Sequence, residues 1–166
     1  FHGTAMNVLR FQAQAMGIPI DLIEMPPKAT NNEYGKRFLA GLERLENITD
    51  LAFGDIFLAD IKAYREKLLA KTGLKLRFPL WKKDSLGLAQ QFLSLGFKAF
   101  VTAVDSSLVS ENLLGHPFDP RFLRSLPRTV DPCGENGEFH TFVYDGPLFK
   151  KAIPVRPGRN ISGQRF

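Results

Sequence analysis

Two short stretches carry side chains beyond what packing requires. One is Asp131-Pro132-Cys133-Gly134-Glu135-Asn136-Gly137-Glu138, just ahead of Phe139-His140-Thr141-Phe142. Glu135 and Glu138 flank a glycine, and paired carboxylates can hold a metal, orient an amine, or act as acid and base where their pKa values separate. A hairpin with solvated glutamates accounts for the same residues. The other stretch is Gly54-Asp55, directly after the apolar run Leu51-Ala52-Phe53. A carboxylate there stands at the carboxyl end of a parallel sheet, where open α/β sheets bind ligands. Gly54 permits close backbone approach. An ordinary strand-to-helix turn in which Asp55 serves the backbone is the alternative.

Cys133 is the only thiol, and its acidic neighbours make it a poor thiolate. His2, His116 and His140 are far apart and form no metal-ligand pair, so no metal site is read. Lys83-Asp84-Ser85 matches the end of a pyrophosphate loop, but Pro79-Leu80-Trp81-Lys82 before it supplies no glycine amides. Asp84 and Ser85 therefore read as helix caps.

The elements that must position these residues follow from hydrophobic spacing. Helices are expected over 4–16, stopped by Gly17, and from Thr30 to about Glu46, opened by the capping box Thr30/Glu33. Ile18–Met25 reads as a short strand. Strands at 51–53 and 74–78 bracket a helix that Asp60 could cap and Gly73 closes. This alternation predicts a parallel sheet covered by helices. After Trp81 the character changes. A helix from Asp84 or Ser85 to Gly96, a strand over 97–104, an irregular stretch, a short helix over 119–126 and a strand over 138–144 are expected. A soft domain boundary falls near residue 81, giving units 1–81 and 82–166, the second with a basic tail.

With 166 residues, 44% hydrophobic, the chain can bury a real core and is not a disordered chain. One cysteine excludes a disulfide framework. No apolar run reaches the roughly 20 residues that span a bilayer, and no signal peptide is visible, so a soluble, cytoplasmic protein without membrane contact is expected. The net charge of +5 raises the expectation of an anionic partner, but the basic residues are scattered, which argues against nucleic acid as that partner. A homodimer stays open.

The series His2-Gly3-Thr4, Gln12 to Pro19, Gly54-Asp55-Ile56, Tyr64-Arg65, Pro79-Leu80-Trp81, Gly96-Phe97 and Gly134 to Thr141 resembles the diphthine–ammonia ligase family, in particular its bacterial branch. That family belongs to the PP-loop ATPases, the adenine nucleotide alpha-hydrolase superfamily. The resemblance implies an α/β fold: a Rossmann-like parallel sheet with helices on both faces, then a smaller C-terminal α+β domain. It implies an ATP-dependent ligase that adenylates a substrate carboxylate, releases pyrophosphate, and lets ammonia displace AMP, with Mg2+ accompanying the nucleotide. His2, Gly3, Gly54 and Asp55 would lie by the nucleotide. Tyr64, Arg65, Cys133, Gly134, Asn136 and His140 would lie on the substrate side. Glu135 and Glu138 would face the reacting centre, one of them holding or deprotonating ammonium. The family's pyrophosphate loop precedes the equivalent of His2-Gly3-Thr4 and is expected upstream of Phe1. Asn136 stands where the family has glycine and His140 where it often has Glu, departures that bear on the substrate. Two other readings remain: a PP-loop tRNA-modifying enzyme, and a nucleotide-binding protein without catalysis.

Overall fold

The computed structural model describes residues 5–26, 28–158 and 160. His2 and Gly3 lie outside the described residues. The chain divides into two units, one of residues 21–83 and the other of residues up to Ile20 together with those from Asp84 onward.

In the 21–83 unit, helix α2 (Asn31–Leu42) starts at a complete capping box. The Glu33 amide donates to Thr30 Oγ1 at 3.2 Å, and the Thr30 amide donates to the Glu33 carboxylate at 2.9 Å, so two orphan donors are satisfied reciprocally. Strand β1 (Asp50–Ala52), helix α3 (Ala59–Leu69) and strand β2 (Lys75–Arg77) follow. β1 and β2 pair in parallel, Leu51 opposite Leu76, as the alternation of elements predicts. Leu42, Phe53 and Leu69 are buried together, with Phe38, Leu51, Leu76 and Phe78 packed around them. The result is an α/β unit with a small two-stranded parallel sheet.

Three expectations are corrected here. Residues 18–26 form no strand. An apolar run becomes a strand only with a ladder partner, and Pro19 lacks an N–H to give one. Helix α2 ends at Leu42, short of Glu46. Asp60 does not cap α3, whose N-cap is Leu58 without a side-chain cap; Asp60 sits inside the first turn, where its charge suits the helix dipole.

The second unit holds α1 (Met6–Met16), α4 (Ser85–Ser94), β3 (Lys98–Val104), α5 (Pro120–Ser125) and β4 (Phe139–Asp145), with a 3-10 turn at Glu111–Leu113. Asp84 caps α4 by accepting the Gly87 amide at 2.6 Å, so Lys83-Asp84-Ser85 serves as a helix start. β3 and β4 are antiparallel, with register shifts between Lys98 and Ala99 and between Val101 and Ala103. The second shift, between Val101 and Ala103, marks a β-bulge or irregularity late in the strand.

Both faces of this two-stranded sheet are covered. Ala99, Val101 and Phe139 face a core shared with Ala89, Val109, Phe118, Phe122 and Val130. Phe142 faces the other way, onto Ala15 of α1 and Ile153. Side chains of β4 alternate between the two faces, and both are covered, so Phe139 and Phe142 are each buried on opposite sides. Helix α1 is tied to β4 by Gln12 Nε2, which donates to the Val143 carbonyl at 2.7 Å. Among the described residues no helix is long and apolar enough to cross a membrane.

Candidate functional site

The segment 131–138 is pinned at both ends before its chemistry begins. Val130 and Phe139 are both buried in the same cluster, and the Phe139 ring meets Phe122 edge-on with centroids 5.1 Å apart. Between them two tight turns follow one another: the Gly134 amide donates to the Asp131 carbonyl at 2.9 Å, and the Gly137 amide to the Gly134 carbonyl at 2.9 Å. Gly134 has φ +69, and a Cβ there would lie 2.7 Å from the Phe139 carbonyl oxygen, so only glycine fits.

Two carboxylates collect the remaining amides. Asp131 Oδ2 accepts the N–H of Cys133 at 2.9 Å and of Glu135 at 3.0 Å, an Asx turn extended by two residues. Glu138 Oε1 accepts the Asp131 amide at 2.9 Å and the Asn136 carboxamide at 2.9 Å, while Oε2 accepts the Asn136 amide at 3.0 Å. Pro132 has no N–H. Every backbone donor from 131 to 137 is therefore spent inside the loop, and none of these donors is left to cradle a phosphate or carboxylate. What the loop offers a ligand is its carbonyls and side chains.

The two glutamates differ in environment. Glu138 is 2% exposed. Burial pushes its carboxyl up, but the Asn136 carboxamide and the amides of Asp131, Glu138 itself and Asn136 outweigh that and hold it below the ordinary value. Glu135 is only half-buried. The Cys133 thiol donates to the Ser85 carbonyl at 3.2 Å, fastening the loop to the first turn of α4. Burial first, then the charges of Asp131, Glu135 and Asp84, push this thiol up to about 11, so it is no thiolate nucleophile near neutrality. His140 is half-buried on β4 opposite Ala103. Cys133, Gly134, Glu135, Asn136 and Glu138 are thus brought into one loop with His140 on the strand it enters. Asp131, which organises the loop, is not singled out by sequence; its signal is an Asp before Pro with glycine three residues on.

In the 21–83 unit, Gly54 is exposed just beyond β1, with open space where a Cβ would go. Asp55 is buried and ion-paired to Arg65 of α3, Nε to Oδ2 at 2.9 Å, with a second contact from Nη2 to Oδ1 at 3.2 Å. The Arg65 guanidinium also lies 4.3 Å from the centroid of the Phe53 ring. Asp55 therefore serves neither as a turn residue alone nor as an isolated carboxylate: it neutralises and orients Arg65. Tyr64 donates to the Asn31 carbonyl at 2.7 Å, joining α3 to the start of α2. Lys62 lies over Phe78 and Trp81, 4.7 Å and 5.5 Å from their ring centroids. Among the described residues, no three His, Cys, Asp or Glu side chains gather as a metal site.

These features fall where comparisons with known proteins find relatives. The family model for the diphthamide synthase C-terminal domain matches residues 84–164, which include the whole 131–138 loop. The diphthine–ammonia ligase of Bos taurus is 33% identical over 116 residues, 66% of this chain and 43% of that protein. Those of Danio rerio and Homo sapiens are 29% and 26% identical, covering 86% and 93% of this chain and 63% and 60% of their own lengths. The chain thus spans 43–63% of these three relatives. Matches that run across both units, together with the family model over the carboxylate loop, lead to one conclusion: the chain belongs to the diphthine–ammonia ligase family.

Proposed function

We propose that this chain acts in an ATP-dependent ligase that forms an amide from a carboxylate and ammonia. The carboxylate oxygen would attack the α-phosphorus of ATP, pyrophosphate would leave, and ammonia would attack the acyl carbon of the adenylate and expel AMP. Gly54, open at the carboxyl end of the parallel sheet, supports a nucleotide position there, within a full Rossmann-like sheet. The same proposal includes the bacterial branch, and Mg2+ entering with the ATP phosphates. Asp55 fits a Mg2+ ligand poorly because its carboxylate is already ion-paired to the Arg65 guanidinium. Arg65, held in place by Asp55, is the cation that would face an anionic group.

The observation that carries the reading is the spent donor set of 131–137. A loop without free amides suits a cationic or neutral nitrogen better than an oxyanion, and Glu135 would hold ammonium and take its proton as the nitrogen attacks. Positioning and charge placement would supply most of the rate.

The test is product analysis with the full chain, ATP, and a diphthine-bearing protein as the first acceptor, since diphthine is named for the relatives. AMP and pyrophosphate released only with ammonium and acceptor together support the ligase. Release that requires tRNA and ignores ammonium supports the tRNA-modifying reading. ATP binding with no AMP under either condition overturns both and leaves a nucleotide-binding protein.

A further inference from the structure

We propose that Glu138 is a positioning residue, not the proton-transfer group, and that Asn136 locks it, so that the pair sets the backbone on which Glu135 is presented. The role in turnover rests on the ligase reading above; the role in the loop does not.

Three observations carry this. Both oxygens of Glu138 are occupied by three N–H donors at 2.9–3.0 Å, leaving its charge spent on the loop. The residue is 2% exposed, so it presents almost no surface to a substrate. With Val130 and Phe139 fixed in the core beneath, the free variable of the loop is the backbone from 131 to 136, and Glu138 ties its first residue to its last. The Glu135 amide hangs from Asp131 Oδ2, and the Asp131 amide hangs from Glu138. Loss of the Glu138 carboxylate is therefore felt at Glu135 through one intermediate residue. The Asn136 carboxamide supplies a third donor that a glycine could not.

Glutamine separates the two roles. In Glu138→Gln one carboxylate oxygen becomes an NH2 donor facing an N–H. If the amide oxygen takes the Oε1 place, the Asn136 backbone amide loses its acceptor. If it takes the Oε2 place, Asp131 and the Asn136 carboxamide lose theirs.

The experiment uses the full chain, with ammonium chloride as the probe. Amide hydrogen exchange should accelerate about tenfold or more in Glu138→Gln at whichever of the Asp131 and Asn136 amides has lost its acceptor, while β4 amides stay protected. The KM for ammonium should rise by about tenfold with a smaller fall in kcat, and Asn136→Gly should shift the same KM by a few-fold in the same direction. Glu135→Gln combined with Glu138→Gln should lose little more than Glu135→Gln alone. A mere loss of folded protein would lower kcat with the KM for ammonium unchanged. Unchanged exchange in Glu138→Gln overturns the proposal, as does a kcat loss with constant KM in Asn136→Gly, which keeps the carboxylate and the fold. Wild-type protein that ignores ammonium sinks the ligase reading and the turnover role with it, while exchange still decides the loop.

Discussion

Gly134 and Gly137 offer a controlled pair. Both sit in the left-handed region, φ +69 and +81, three residues apart in one loop. An L residue there costs roughly 1–2 kcal/mol. The surroundings differ: a Cβ on Gly137 meets nothing within 4 Å, whereas one on Gly134 lies 2.7 Å from the Phe139 carbonyl oxygen and 3.3 Å from two carbons of its ring. That oxygen is backbone at the start of β4, and the ring is wedged between Phe118 and Phe122, so neither can move aside cheaply. Overpacking of this kind adds about 1–3 kcal/mol. Gly137→Ala should therefore cost about 1–2 kcal/mol and Gly134→Ala about 2–5 kcal/mol. Urea denaturation followed by circular dichroism measures both, with the fluorescence of Trp81, the only tryptophan, reporting the 21–83 unit as an internal control. Equal losses in the two variants, or a larger loss at Gly137, would refute the packing argument.

Further outcomes follow from the same geometry. Asp55→Ala leaves the Arg65 guanidinium partly buried without its anion and should cost about 3–5 kcal/mol, while adding Arg65→Met should recover part of it, both read by Trp81 fluorescence in urea. Because the Cys133 thiol is pushed from 9.0 up to about 11, its stabilising effect is present below pH 9.0 and is lost as pH rises through about 11. Cys133→Ala should flatten that alkaline slope, and iodoacetamide should modify the native thiol far more slowly than the unfolded one at pH 8. Glu138 shifts the opposite way: its carboxyl lies below 4.5 in the folded protein, so its contribution is present above that pH and is lost as pH falls through the depressed value. Acid denaturation of Glu138→Gln should lack that component.

Local signals made much of the architecture legible. Thr30 and Glu33 announce a capping box, Asp84 and Asp119 announce helix starts, and each cap forms. The alternation of 51–53, α3 and 74–78 predicts the parallel pair β1–β2. What sequence hides is whatever depends on a distant partner. Ile18–Met25 has the apolar content of a strand, but strand identity is a property of a pair. Asp55 reads as a turn or ligand carboxylate because nothing in its neighbours reveals that Arg65, ten residues on, turns back to it over the Phe53 ring. Glu135 and Glu138 look equivalent as letters. Only the paths of the Asp131 and Asn136 amides, with the Asn136 carboxamide, show that Glu138 is turned inward while Glu135 is not buried to the same degree.

The central claim is that the 131–138 loop presents Glu135 to the nitrogen that becomes the amide. Its most direct measurement is transfer of 15N from ammonium chloride into the acceptor by the full chain with ATP, followed by mass spectrometry for wild type and Glu135→Gln. The account predicts one labelled nitrogen per AMP formed in the wild type, and loss of labelling in Glu135→Gln with ATP binding retained. Labelling at the wild-type rate in Glu135→Gln, or AMP formed without any label entering the acceptor, would contradict it.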